Sequence, residues 1–135
     1  MMIETYIEQS GVIPYRLEQG KIEILLVSSR KKKRWVIPKG IVEPDLTPQD
    51  SAAKEALEEG GILGEVLPES VGTYTYEKWG GVCRVVVFLL KVTSLEANWL
   101  EDYRERQWFS LPEARKRLDE AELKNILLKV GDRLS

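Results

Sequence analysis

Glu55, Glu58 and Glu59 stand at positions i, i+3 and i+4. On a helix that spacing gathers their side chains on one face, within an arc of roughly 100°. Three carboxylates so close repel one another, and a divalent cation removes the penalty. Oxygen donors with no His or Cys beside them suit a hard ion, Mg²⁺ or Mn²⁺. Mg²⁺ keeps several waters and draws its remaining ligands from substrate phosphates, so the chemistry suggested is phosphate chemistry. The same run also fits a solvated acidic helix face, and the flanking residues must decide between the two.

Other catalytic schemes drop out. The chain contains no histidine, which excludes a Ser-His-Asp triad, a Cys-His pair and His-bound zinc. Its single cysteine, Cys83, excludes an internal disulfide and reads as a small packed residue at the head of an apolar run. Cations are concentrated in Arg30-Lys31-Lys32-Lys33-Arg34. In a loop between strands this run suits a polyphosphate clamp, with Arg giving forked contacts and Lys point charges. It equally suits a solvated hairpin loop. Ser29 beside it carries a hydroxyl that can donate to phosphate. Lys78, Arg84, Arg104 and Arg106 are further candidates, although each alone reads as a surface charge. Trp35, Tyr74, Tyr76 and Trp79 can stack on a base or pack in the core.

Positioning these groups requires a folded frame, and the bulk properties allow one. The 135 residues suit one domain, 1–135, with 43% hydrophobic and 31% charged residues. A net charge of −2 gives the molecule no overall attraction to nucleic acid or membrane. The longest apolar run, Val85 to Leu90, is too short to span a bilayer. Met1 to Gln9 lacks the pattern of a secretory signal, so a cytoplasmic location is expected.

Strands are expected over Glu4–Tyr15, Lys21–Ser28 and Trp35–Ile37, with a hairpin signal at Glu18-Gln19-Gly20. A loop from Lys39 to Leu46 should follow. Thr47 then suits an N-cap, Pro48 the first helical position and Asp50 the first turn, and Gly60-Gly61 closes the segment. The acidic triplet therefore lies on a helix spanning about Pro48 to Glu59, with Ala53, Ala56, Leu57 and Gly60 expected to face a sheet. Further strands are expected at Ile62–Tyr76, kinked at Pro68, at Val82–Thr93 after a turn at Lys78–Gly81, and at Glu105–Phe109. Helices should cover Leu111–Leu118 and Ala121–Val130. This order implies a mixed α/β sandwich of the α+β kind, not a doubly wound fold.

Read outward from the glutamates, the segment from Gly40 to Ile62 resembles the Nudix box, Gly-x5-Glu-x7-Arg-Glu-apolar-x-Glu-Glu-x-Gly-apolar. Gly40, Glu55, Ala56, Glu58, Glu59, Gly61 and Ile62 occupy its places. Leu46 stands where that family has a glutamate and Lys54 where it has an arginine, so the usual brace between those two side chains is missing. Glu43 is the acid left to replace it. Gly11 to Arg16, Leu25 to Arg30, Arg34-Trp35 and Arg104 to Phe109 also look like the subgroup acting on diphosphoinositol and diadenosine polyphosphates.

The resemblance implies an α/β/α sandwich with a mixed sheet between helices. It implies Mg²⁺-dependent (or Mn²⁺-dependent) hydrolysis of a phosphoanhydride bond in a small polyphosphate substrate. Glu55, Glu58 and Glu59 would serve as metal ligands and catalytic groups, joined at the metal by the backbone carbonyl of Lys39. Glu59 or Glu55 would deprotonate the attacking water. Ser29, Arg30, Lys32, Arg34, Lys39, Gly40, Arg84, Arg104 and Arg106 would contact substrate. Alternatives are an RNA 5′-pyrophosphohydrolase, against which the net acidity argues, and a nucleotide-binding module with weak or no turnover.

Overall fold

A computed structural model describes residues 5–134. Glu4, the expected first residue of the opening strand, and Met1 to Ile3 of the N-terminal stretch lie outside the described residues. Along the chain run β1 (Tyr6–Glu18), β2 (Lys21–Ser28), β3 (Trp35–Val36), β4 (Lys39–Ile41), α1 (Pro48–Gly60), β5 (Ile62–Lys78), β6 (Gly81–Leu95), β7 (Arg106–Ser110), α2 (Leu111–Arg117) and α3 (Ala121–Leu134). The strands form one mixed sheet in the order β3-β2-β1-β6-β5, with β4 added to β1 and β7 to β2. β1 and β6 are parallel, from Tyr6 opposite Val82 to Tyr15 opposite Lys91. The other pairings are antiparallel.

Strand alternation divides the core in two. Ile13, Ile24, Leu26, Val87 and Leu89 face one side, where Leu118, Leu123, Leu127 and Val130 of the C-terminal helical segment cover them. Val12, Leu25, Val27, Phe88 and Leu90 face the other side and meet Ala52 and Ala56 of α1. Adjacent residues thus serve opposite layers, as a period of two requires. The expected α/β/α sandwich is observed.

α1 begins as its sequence dictates. The Thr47 hydroxyl accepts from the Asp50 amide at 3.0 Å, and Pro48 occupies the first turn. Gly61 ends the helix in a left-handed conformation, φ 62°, and its amide donates to the Leu57 carbonyl at 2.9 Å.

Two expectations need correction. Lys39–Leu46 is not wholly a loop, because Lys39–Ile41 pairs with Gln9–Gly11 of β1. Pro38 presents its carbonyl to the Val12 amide at 3.1 Å, and a Cβ on Gly11 would come within 2.8 Å of that same oxygen. The bare glycine lets the chain run alongside β1. The sheet-facing side of α1 is also rotated from the one expected. Ser51, Ala52, Ala56, Glu59 and Gly60 are buried there, whereas Leu57 is 39% exposed.

Elsewhere β5 breaks register around Pro68, between Val66 and Ser70. Cys83 is buried. Tyr74 is buried and serves packing, and half-buried Trp35 packs edge-on against Phe109 at 5.2 Å. Among the described residues no helix is long and apolar enough to cross a membrane.

Candidate active site

The rotation of α1 decides the site. It turns Glu59 inward, 6% exposed, with Glu55 one turn earlier and half-buried. The two carboxyls hydrogen-bond one another. Burial, reinforced by that bond, pushes Glu59 up to about 8. Burial also raises Glu55. Without a cation the pair therefore holds a shared proton near neutral pH. β4 crosses directly over it, and a Cβ on Gly40 would land on the Glu55 carboxylate. Glycine is required there by close approach.

Glu55 and Glu59 lie in a cleft of about 850 Å³. Arg30, Lys31, Lys33, Arg34 and Lys78 bring positive charge to it, and Trp79 adds an exposed ring. Lys39 Nζ sits 4.9 Å over the Tyr76 ring. Burial lowers the Lys39 pKa, while Glu59 pulls it back up. The Tyr76 hydroxyl donates to Gln9 Oε1 at 2.7 Å, and burial pushes its pKa up to about 12.

Several candidates from the sequence either lie off the cleft wall or line it with their polar groups held by neighbouring residues. Glu58 is absent from the cleft wall, because it points about 100° around the helix from the inward-turned Glu59. Lys32 sits in the turn with φ 56° and does not line the cleft. Ser29 does line it, but its hydroxyl accepts from the Lys33 and Arg34 amides at 3.2 and 3.3 Å and ties the basic loop together. Arg34 reaches Asp119 and Glu120 at 3.5 Å each. Arg104 does line the cleft, but it is 8% exposed and its guanidinium donates to Glu101 at 2.9 and 3.0 Å and to the Ser28 carbonyl at 2.9 Å.

Arg84 lies outside the cleft, paired with Glu8 and stacked over Tyr6. Arg106 also lies outside it, donating to the Gly60 carbonyl at the end of the helix at 2.7 Å. Strand geometry sends both side chains elsewhere.

The missing brace has a substitute. Lys54 Nζ contacts Glu43 Oε1 at 2.8 Å, tying the loop after β4 to α1. Among the polar and charged residues of the cleft, two escaped the sequence reading, Gln9 and Glu101. Gln9 carried a weak signal as a polar residue in an apolar strand. Glu101 carried none, being one acid in an irregular acidic loop.

The donors fit a hard divalent ion. Two carboxylates that otherwise trap a proton offer only oxygen ligands, and Gly40 leaves room for close approach. Among the described residues no group of three or more His, Cys, Asp or Glu converges to hold an ion alone. The ion that suits this pair is one that completes its shell with water and phosphate oxygens.

A carboxylate helix laid across a mixed sheet, under a glycine of the preceding strand, defines the Nudix class. The chain belongs to that family, since the NUDIX domain model matches residues 8–129. The family generally uses divalent metal ions. Among relatives, the chain is 33% identical to Nudix hydrolase 13, mitochondrial, of Arabidopsis thaliana, over 78% of this chain and 63% of that protein. It is 32% identical to diphosphoinositol polyphosphate phosphohydrolase 2 of Rattus norvegicus, over 84% of this chain and 63% of that one. The chain thus spans under two thirds of the length of these curated relatives. A crystal structure of C. elegans Ap4A hydrolase superposes with a TM-score of 0.80 at 28% identity, covering 97% of this chain and all of that one.

Proposed function

We propose that this chain hydrolyses a phosphoanhydride bond in a diadenosine, nucleoside or diphosphoinositol polyphosphate, with Mg²⁺ as cofactor. The observation that carries the reading is the inward-facing Glu55–Glu59 pair beneath a cationic rim. The relatives named for Ap4A and diphosphoinositol polyphosphates support the substrate range.

Glu55 and Glu59 would hold the ion, with the Lys39 carbonyl as a further oxygen. When bound, the ion supplies charge neutralisation at phosphate oxygens and makes the attacking water more acidic. One carboxylate of the pair takes the proton of that water. Arg30, Lys31 and Lys33 grip the outlying phosphates and align the scissile bond. Lys39 places a partly desolvated cation beside the reacting phosphoryl group, where it offsets negative charge more strongly than a surface lysine. The Lys54–Glu43 contact keeps the loop seated against α1, so the altered box retains its brace.

The test is product analysis with Mg²⁺ and a panel of diadenosine polyphosphates, diphosphoinositol phosphates and nucleoside triphosphates. Turnover of one class is expected, with Glu59→Gln lowering kcat by at least ~10²-fold. Tight binding of every candidate without product would replace the hydrolase with a binding module.

A further inference from the structure

The last two turns of α1 hold Glu55, Glu58 and Glu59, and the last turn carries no basic residue. A helix C-terminus is already the negative end of the backbone dipole, so these carboxylates crowd an unfavourable position. Its final carbonyls also need donors from elsewhere. The segment between β6 and β7 supplies them. The Glu101 amide donates to the Glu58 carbonyl at 2.9 Å, and the Glu96 amide to the Gly61 carbonyl at 2.8 Å.

Arg106, at the start of β7, completes the set. Its Nη1 donates to the Gly60 carbonyl at 2.7 Å, and its guanidinium lies 4.2 Å over the Trp99 ring. A Cβ on Gly61 would meet Arg106 Nη1 at 2.9 Å and the Trp99 Cβ at 3.1 Å. Gly61 therefore serves twice, for its left-handed backbone and for the space it leaves to this pair.

We propose that Arg106, held flat by Trp99, is a positioning residue that fixes the last turn of α1 and so the aim of the Glu55–Glu59 metal site. It is the cation that the helix end lacks in its own sequence. It does not line the cleft, and it acts through the helix end instead of on substrate. This inference rests on the metal-binding reading above and adds a determinant to it.

The experiment is Mn²⁺ binding by calorimetry on the substrate-free protein, alongside kcat and KM, for wild type, Arg106→Gln, Arg106→Lys and Trp99→Leu. Arg106→Gln is expected to weaken Mn²⁺ binding on the order of tenfold and to lower kcat, with KM for substrate within about twofold of wild type. Arg106→Lys keeps the charge and should recover part of the metal affinity. Trp99→Leu leaves the arginine but frees it, and should shift affinity in the same direction by less. Circular dichroism checks that each variant is folded, and Trp99→Leu carries the test if Arg106→Gln is not.

Unchanged Mn²⁺ affinity in a folded Arg106→Gln protein overturns the proposal. A raised KM with unchanged metal affinity also overturns it and makes Arg106 a substrate ligand. Wild type that binds no Mn²⁺ removes the metal reading itself, a result distinct from either of these.

Discussion

At the scale of single residues, the acidic triplet was readable from spacing alone, but its division of labour was not. Spacing places Glu55, Glu58 and Glu59 within one arc, and only the packing of Ala52 and Ala56 on the sheet decides which part of that arc turns inward. Glu59 took the buried place, and its pKa records the consequence. Its value of about 8 in the folded protein lies above the ordinary 4.5. The folded state therefore binds the proton more tightly than the unfolded chain. The resulting stability is fully present below about pH 4.5 and is lost as pH rises through 8. In metal-chelated protein, Tm should fall across this window more steeply for wild type than for Glu59→Gln, whose side chain stays neutral. Added Mg²⁺ should then raise wild-type Tm more at pH 8 than at pH 5.5, because the ion takes the place of a proton already lost. Parallel Tm–pH curves for the two proteins, measured by calorimetry, would refute the buried-pair argument.

At the scale of elements, residues with strong local signals declared themselves. Thr47-Pro48 opened α1 and Gly61 closed it, Pro68 broke β5, and Gly20 and Gly80 marked hairpins. β4 gave no such signal, because three residues that pair only through the accommodation of Gly11 have no periodicity to read. The β5–β6 hairpin holds a residue against its local preference. Trp79 and Gly80 have φ 56° and 70°, the conformation that two-residue turns fill best with Asn-Gly. A bulky residue in that conformation costs on the order of 1 kcal/mol. Trp79 is nonetheless 61% exposed on the cleft rim. Trp79→Asn should raise Tm by a few degrees, given that ~1 kcal/mol moves a domain of this size by roughly 3–6 °C. The same change should raise KM for a substrate with a planar base and leave KM for a diphosphoinositol substrate unaltered. A lower Tm would remove the strain argument, and equal effects on both substrates would remove the stacking one.

At the scale of the whole molecule, the layered class followed from the order of strands and helices, but the parallel pairing of β1 with β6 did not. That pairing joins segments far apart in sequence, and the two-sided core selects it by giving Val12 and Ile13 opposite neighbours. Net charge misleads in a similar way. A chain of charge −2 has little far field for a polyphosphate, yet Arg30, Lys31, Lys33 and Lys78 concentrate positive charge on one rim. A local field of this kind acts over about a Debye length, ~10 Å at 0.1 M salt and ~3 Å at 1 M. Raising KCl at fixed Mg²⁺ should therefore raise KM several-fold while leaving kcat nearly constant, since the buried pair is shielded from bulk ions. Serine at positions 30, 31 and 33 should raise KM at low salt and flatten its salt dependence. A salt slope unchanged by these serines would take the substrate-attracting charge away from Arg30, Lys31 and Lys33 and leave Arg34, Lys39 and Lys78 of the same cleft to account for it.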